Sequence, residues 1–149
     1  MNCNSQFNKH AQAVKVLEEA KRALKLARME LGEFRRDREA LRLRDACEKG
    51  WLAVLMATDA LLAEFGLGKP ESYAEKRMLL KKLEGRVTKA MELGLRDRLG
   101  ARGYYLHIFG YHECSLVEEE VEEELNKVEE YLEDVEELLE GSNHTQLEG

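Results

Sequence analysis

Residues 50–65 read GWLAVLMATDALLAEF, and Asp59 and Glu64 are the only charged residues in the run. Its length suits a helix better than a strand, and a helix apolar on nearly every face must be surrounded by other elements. The stretch is too short, and too broken by its two acids, to cross a bilayer, which takes about 20 apolar residues. It therefore predicts a central helix, residues 51–65, wrapped by others. The expected fold is all-α: an antiparallel bundle of about five helices in one domain over residues 1–149.

The flanking pattern supplies the wrapping helices. Val14, Leu17, Ala20, Leu24, Ala27 and Leu31 fall three or four apart and give a first helix over about 5–31, ended by Gly32. The second is expected over 34–65, and "GLGKPE" breaks the chain after it. Ser72 and Glu75 form a capping box that starts a short third helix. Gly85 separates it from a fourth, on which Val87, Met91, Leu95 and Leu99 repeat every four residues. Ser115 and Glu118 form a second capping box opening an acidic helix over 115–140, with a heptad stripe of Val121, Leu125, Val128, Leu132, Val135 and Leu139. Gly141 is expected to close it, leaving 141–149 as a loose tail.

Charge is distributed unevenly. The net charge of −7 divides into +6 over residues 1–116, −12 over 117–140 and −1 over the last nine. A mildly basic body could accept nucleic acid, and the acidic helix would repel it. The acids lie off the heptad stripe, so they either face water or dock on a basic surface of the body or of a partner. Abundant Glu and Lys with scarce Asn and Gln match the balance of heat-adapted proteins. Three cysteines without a Cys-x-x-Cys point to a reducing, cytoplasmic setting, with no disulfide framework, and the N-terminus has no apolar signal-peptide core.

The residues that could carry chemistry cluster late. RGYYLH, residues 102–107, places Arg102 five positions before His107. On an ideal α-helix five residues turn roughly 500°, which leaves the two about 140° apart. Gly100 and Gly103 make regular helix uncertain there, and a break would let both side chains enter one cleft with basic neighbours such as Arg98. If the helix runs on, Arg102 falls in line with Leu95, Leu99, Leu106 and Phe109. It must then meet an acid or face a cavity, and Asp59 and Glu113 are the acids to expect as orienting groups. A histidine can move a proton at a ribose 2′-hydroxyl while an arginine holds the phosphate. His107, His112, Glu113 and Cys114 hold ligand-type atoms, but His-x4-His is not a common zinc spacing, so no metal is expected. No glycine-rich phosphate loop appears and no cofactor is expected.

These features together resemble the HEPN superfamily of helical proteins with an Arg-x(4–6)-His motif. GWLAVLMATDALLAEFGLGKPESYAEKRMLL and YYLHIFGYHE look closest to its archaeal PaREP-like branch. The resemblance covers about residues 8–116 and is clearest over 48–82. It implies Arg102 and His107 as the motif pair and Phe109 as the aromatic that follows it. Gly103 stands where active relatives more often carry a polar residue. The implied function is a metal-independent ribonuclease of toxin or defence type, acting as a homodimer with two motifs lining one cleft. The alternative is a non-catalytic helical dimer that binds a nucleotide, RNA or a protein partner, such as a nucleotidyltransferase-type protein.

Overall fold

The computed structural model describes the backbone of residues 3–148 and the side chains of residues 3–142. Helices α1 (Cys3–Asp37), α2 (Ala40–Glu64), α3 (Tyr73–Arg86), α4 (Thr88–Glu92), α5 (Leu95–Arg102) and α6 (Glu118–Glu148) form the fold, and a π-helical segment, Gly103–His112, continues α5 without a break. No strand occurs among the described residues.

The long helices form an all-α bundle with α2 at its centre. Trp51, Ala53, Val54, Ala57, Thr58, Ala60, Leu61 and Leu62 are all buried. Leu52 is 47% exposed, and Leu55 and Asp59 are half-buried on the same edge. Helix directions follow from the contacts. His10 meets Glu64 and Lys49 meets Glu30, so α1 and α2 are antiparallel. Thr58 shares a 2.6 Å hydrogen bond with Tyr131 on α6, and the hydroxyl of Thr58 donates back to the Val54 carbonyl.

The acidic helix is fastened to α1 by a heptad ladder. Lys21 pairs with Glu136 at 2.6 Å, Arg28 with Glu129 at 2.8 Å and Arg35 with Glu122 at 2.8 Å. The basic residues rise by seven as the acids fall by seven, which is the register of an antiparallel coiled-coil pair. Arg35 and Arg38 also hold Glu118, whose carboxyl is kept below the usual carboxylate range, first by its hydrogen bond from Arg35. The acids of α6 therefore divide between a docked edge and a solvated one. Exposed ion pairs of this kind are worth little singly. The apolar residues Val121, Leu125, Val128, Tyr131, Leu132, Val135, Leu138 and Leu139, all buried, hold the helix.

Several boundaries differ from the sequence reading. Gly32 does not end α1. The helix runs five residues further, which positions Arg35 on α6, and the turn comes at Arg38, whose φ is 59°. Val14 is 39% exposed, and Ala13 takes its place in the buried stripe. Gly85 lies inside α3. The expected fourth helix is split instead at Gly94, which adopts the left-handed conformation (φ 63°) favoured by glycine, and this leaves Met91 exposed. Ser72 does cap α3, its hydroxyl accepting from the Glu75 N–H at 3.1 Å. Ser115 caps nothing: its hydroxyl donates to the Phe109 carbonyl, and α6 begins at Glu118. Gly141 does not close α6, which continues to Glu148. A single glycine costs a helix only about 1 kcal/mol, and Leu138 and Leu139 are buried just before it. Residue 149 of the expected tail lies outside the described residues.

Candidate functional site: an aromatic and basic cleft beside the π-helical segment

The π-helical segment, residues 103–112, packs closely on α2. Two glycines of the segment lie directly on α2. A Cβ on Gly103 would stand 3.0 Å from the Trp51 ring, and one on Gly110 would overlap the Cys47 sulfur and stand 2.7 Å from Cys47 Cβ. At Gly110 only glycine lets the backbone come this close, while at Gly103 a side chain would require the Trp51 ring to give by a few tenths of an ångström. The segment ends with the Glu113 N–H donating to the Ile108 carbonyl, five residues back. π-helical turns are rare and frequently sit at functional sites.

A cleft of about 900 Å³ opens beside it. Trp51 and Leu55 of α2 form its floor, Tyr73, Arg77 and Lys81 of α3 one wall, Arg96 and Asp97 of α5 an end, and Tyr104, His107 and Ile108 of the π segment the other wall. Tyr73, Arg77 and Lys81 follow each other every four residues and so share one face of α3. The Trp51 and Tyr73 rings meet edge-on at 5.5 Å, and the Arg77 guanidinium lies 5.5 Å over Tyr73. Burial raises the pKa of the Tyr73 hydroxyl, and the charge of Arg77 partly opposes the shift. Three cations face one acid here, in a chain of net charge −7.

His107 stands on the cleft wall. Its Nδ1 lies 2.9 Å from Glu48 Oε2, and its Nε2 lies 3.2 Å from Nε2 of exposed His112. Its ring stacks on Tyr111 at 5.8 Å, and the Arg44 guanidinium lies 4.4 Å over the Tyr111 ring. A carboxylate at Nδ1 favours the tautomer with hydrogen on that nitrogen, which leaves Nε2 as the basic one.

Arg102 is elsewhere. It is 6% exposed, does not line the cleft, and its Nε lies 2.6 Å from Glu124 Oε2 of α6, itself buried. Arg102 is therefore inward, in line with Leu95, Leu99 and Leu106 as its spacing predicts, and it meets an acid. That acid is Glu124. Asp59 pairs with Lys76 at 3.0 Å on the outer edge of α2, and Glu113 is exposed just past the π segment. Arg98 pairs with Asp134 at 2.7 Å, and its neighbours Arg96 and Asp97 line the cleft instead. The expected couple is thus divided: His107 faces the cleft and Arg102 is held in the α6 contact.

Two groups could have been found by spacing. Tyr73, Arg77 and Lys81 form a four-residue series, and Glu124 keeps step with Val121, Val128, Tyr131 and Val135, all buried. Glu48 carries no such signal, since it is one of several charges on the early turns of α2. No group of three or more His, Cys, Asp or Glu side chains among the described residues could hold a metal ion. No helix among the described residues is long and apolar enough to cross a membrane. Comparison of the chain with family models, with curated proteins and with solved structures finds no match.

Proposed function

We propose that the cleft binds a single-stranded RNA segment or a nucleotide, in keeping with the resemblance to HEPN proteins. The observation that carries this reading is that two exposed rings, Tyr73 and Tyr104, and three cations, Arg77, Lys81 and Arg96, line one concave surface, with buried Trp51 beneath it. Single strands are held by this combination, since bases stack on aromatic rings and phosphates follow the cations. Each phosphate neutralised on a single strand adds about 0.7 to the slope of log affinity against log salt. In a titration with a labelled RNA oligomer, Arg77→Ala with Lys81→Ala should lower affinity at least about tenfold and reduce that slope by about 1.4. An unchanged slope and affinity would refute the proposal.

Cleavage by His107 is a second reading, favoured by the Glu48 contact that orients its ring. His107 would accept the 2′-hydroxyl proton as the 2′-oxygen bonds to phosphorus and the bond to the 5′-oxygen breaks, that oxygen taking a proton from water, while the cleft cations, not Arg102, would hold the phosphate. RNA cleavage in the presence of a chelator, lost in His107→Ala, supports this reading; its absence from the native chain leaves binding alone. Leu52 and Tyr105, exposed apolar residues outside the cleft lining, are the ones we assign to a homodimer contact.

A further inference from the structure

The cleft reading uses His107 and leaves His112 without a role. We propose that His107 and His112 together form a binding site for a divalent ion that prefers imidazole, with zinc as the reference ion. The inference does not depend on RNA binding in the cleft, but a bound ion would occupy the His107 nitrogen that the cleavage reading needs as a base.

The geometry carries it. On an α-helix two residues five apart would diverge by about 140°. The π winding instead brings the pair together, with the two Nε2 atoms 3.2 Å apart and the rings at 81°. Zinc–nitrogen bonds of about 2.0–2.1 Å at a tetrahedral angle place two nitrogens about 3.3 Å apart. The nitrogens therefore already stand at ligand separation, and the His-x4-His spacing that looks wrong for zinc on an α-helix becomes suitable on this one.

The second shell agrees. Glu48 accepts from Nδ1–H of His107, so the lone pair on His107 Nε2 is directed away from α2. A carboxylate behind a histidine in this way fixes the ring and raises its basicity as a metal ligand. Without metal, that lone pair accepts from Nε2–H of His112. With metal, His112 shifts its proton through solvent to Nδ1 and its exposed ring tilts, so that both Nε2 lone pairs converge on an ion beside the line between the two nitrogens. His112 is exposed, so water can satisfy its Nδ1–H and fill the open coordination positions. With two protein ligands, affinity should fall well short of a four-ligand structural site. Magnesium and calcium, which take oxygen ligands, should not compete.

Calorimetric titration of the full chain with zinc chloride tests the proposal. One zinc per chain is expected. His112→Ala should abolish the binding while the helical circular dichroism stays intact, and Glu48→Gln should weaken it about 10–100-fold. Cys3→Ser and Cys114→Ser, which remove the two exposed thiols, should leave it unchanged. Absence of a binding heat in the native chain would overturn the site, as would zinc binding that survives His112→Ala or disappears with Cys114→Ser.

Discussion

Gly110→Ala should lower the stability of the native packing by roughly 3 kcal/mol. The added Cβ would overlap Cys47 Sγ and stand 2.7 Å from Cys47 Cβ, with Leu116 Cδ1 at 3.4 Å on another side. Cys47 is 1% exposed on the central helix and cannot swing into solvent. The π segment would have to move off α2, and the contacts of Gly103 on Trp51 and His107 on Glu48 would move with it. Overpacking a filled core costs typically about 1–3 kcal/mol and sometimes more. Because backbone and a buried Cβ meet here, the loss should reach the upper end of that range, read as a lower urea midpoint. Cys47→Gly in the same chain removes the obstructing atoms, so it should recover part of the midpoint despite its own helix cost. Gly85→Ala is the control: a Cβ there meets nothing within 4 Å, and the change should be neutral or stabilising.

Arg102→Met should destabilise the fold and leave RNA affinity unchanged. Arg102 and Glu124 are buried at 6% and 5% exposure, and Glu124 Oε1 has one further partner, Lys127, at 3.4 Å. Removing one member of a buried ion pair leaves the other charge poorly compensated and costs about 3–5 kcal/mol. Replacing both, as Arg102→Met with Glu124→Leu, removes the stranded charge and should return most of the stability. A catalytic or phosphate-binding arginine behaves differently, since its loss is not repaired by a second change on α6. The pair of variants therefore separates a role in packing α6 from a role in the cleft.

Local and periodic features of this chain were legible in the sequence. The central helix had no polar face to offer water, and the Ser72 cap depends only on residues three apart. The stripe on α6 repeats strictly enough to mark its inner face. The alignment of Arg102 with Leu95, Leu99 and Leu106 is visible in the sequence, but whether it enters a cleft with His107 or meets an acid, and which acid, depends on which helix lies opposite. The same holds for Lys21, Arg28 and Arg35: their seven-residue spacing is visible in the chain, and their pairing with Glu136, Glu129 and Glu122 follows only once α6 is known to run antiparallel to α1. Gly32, Gly85 and Gly141 look like helix ends in the sequence because glycine weakens helices. Packing and ion pairs beyond each position outweighed about 1 kcal/mol of propensity. The π segment was the least legible: no pattern in the sequence marks its winding, and the close seating of Gly103 and Gly110 on Trp51 and Cys47 is a tertiary contact. That winding is also what separates His107 from the expected couple and joins it to His112 and Glu48.

Trp51 is the only tryptophan in the chain and forms the floor of the cleft, so its emission reports on the site directly. Titration with a single-stranded RNA oligomer should quench Trp51 with the midpoint found by anisotropy of the labelled RNA. Arg77→Ala with Lys81→Ala should move both midpoints together, and Arg102→Met with Glu124→Leu should move neither. RNA binding that leaves Trp51 emission unchanged and is indifferent to Arg77 and Lys81 would place the ligand elsewhere and contradict the account.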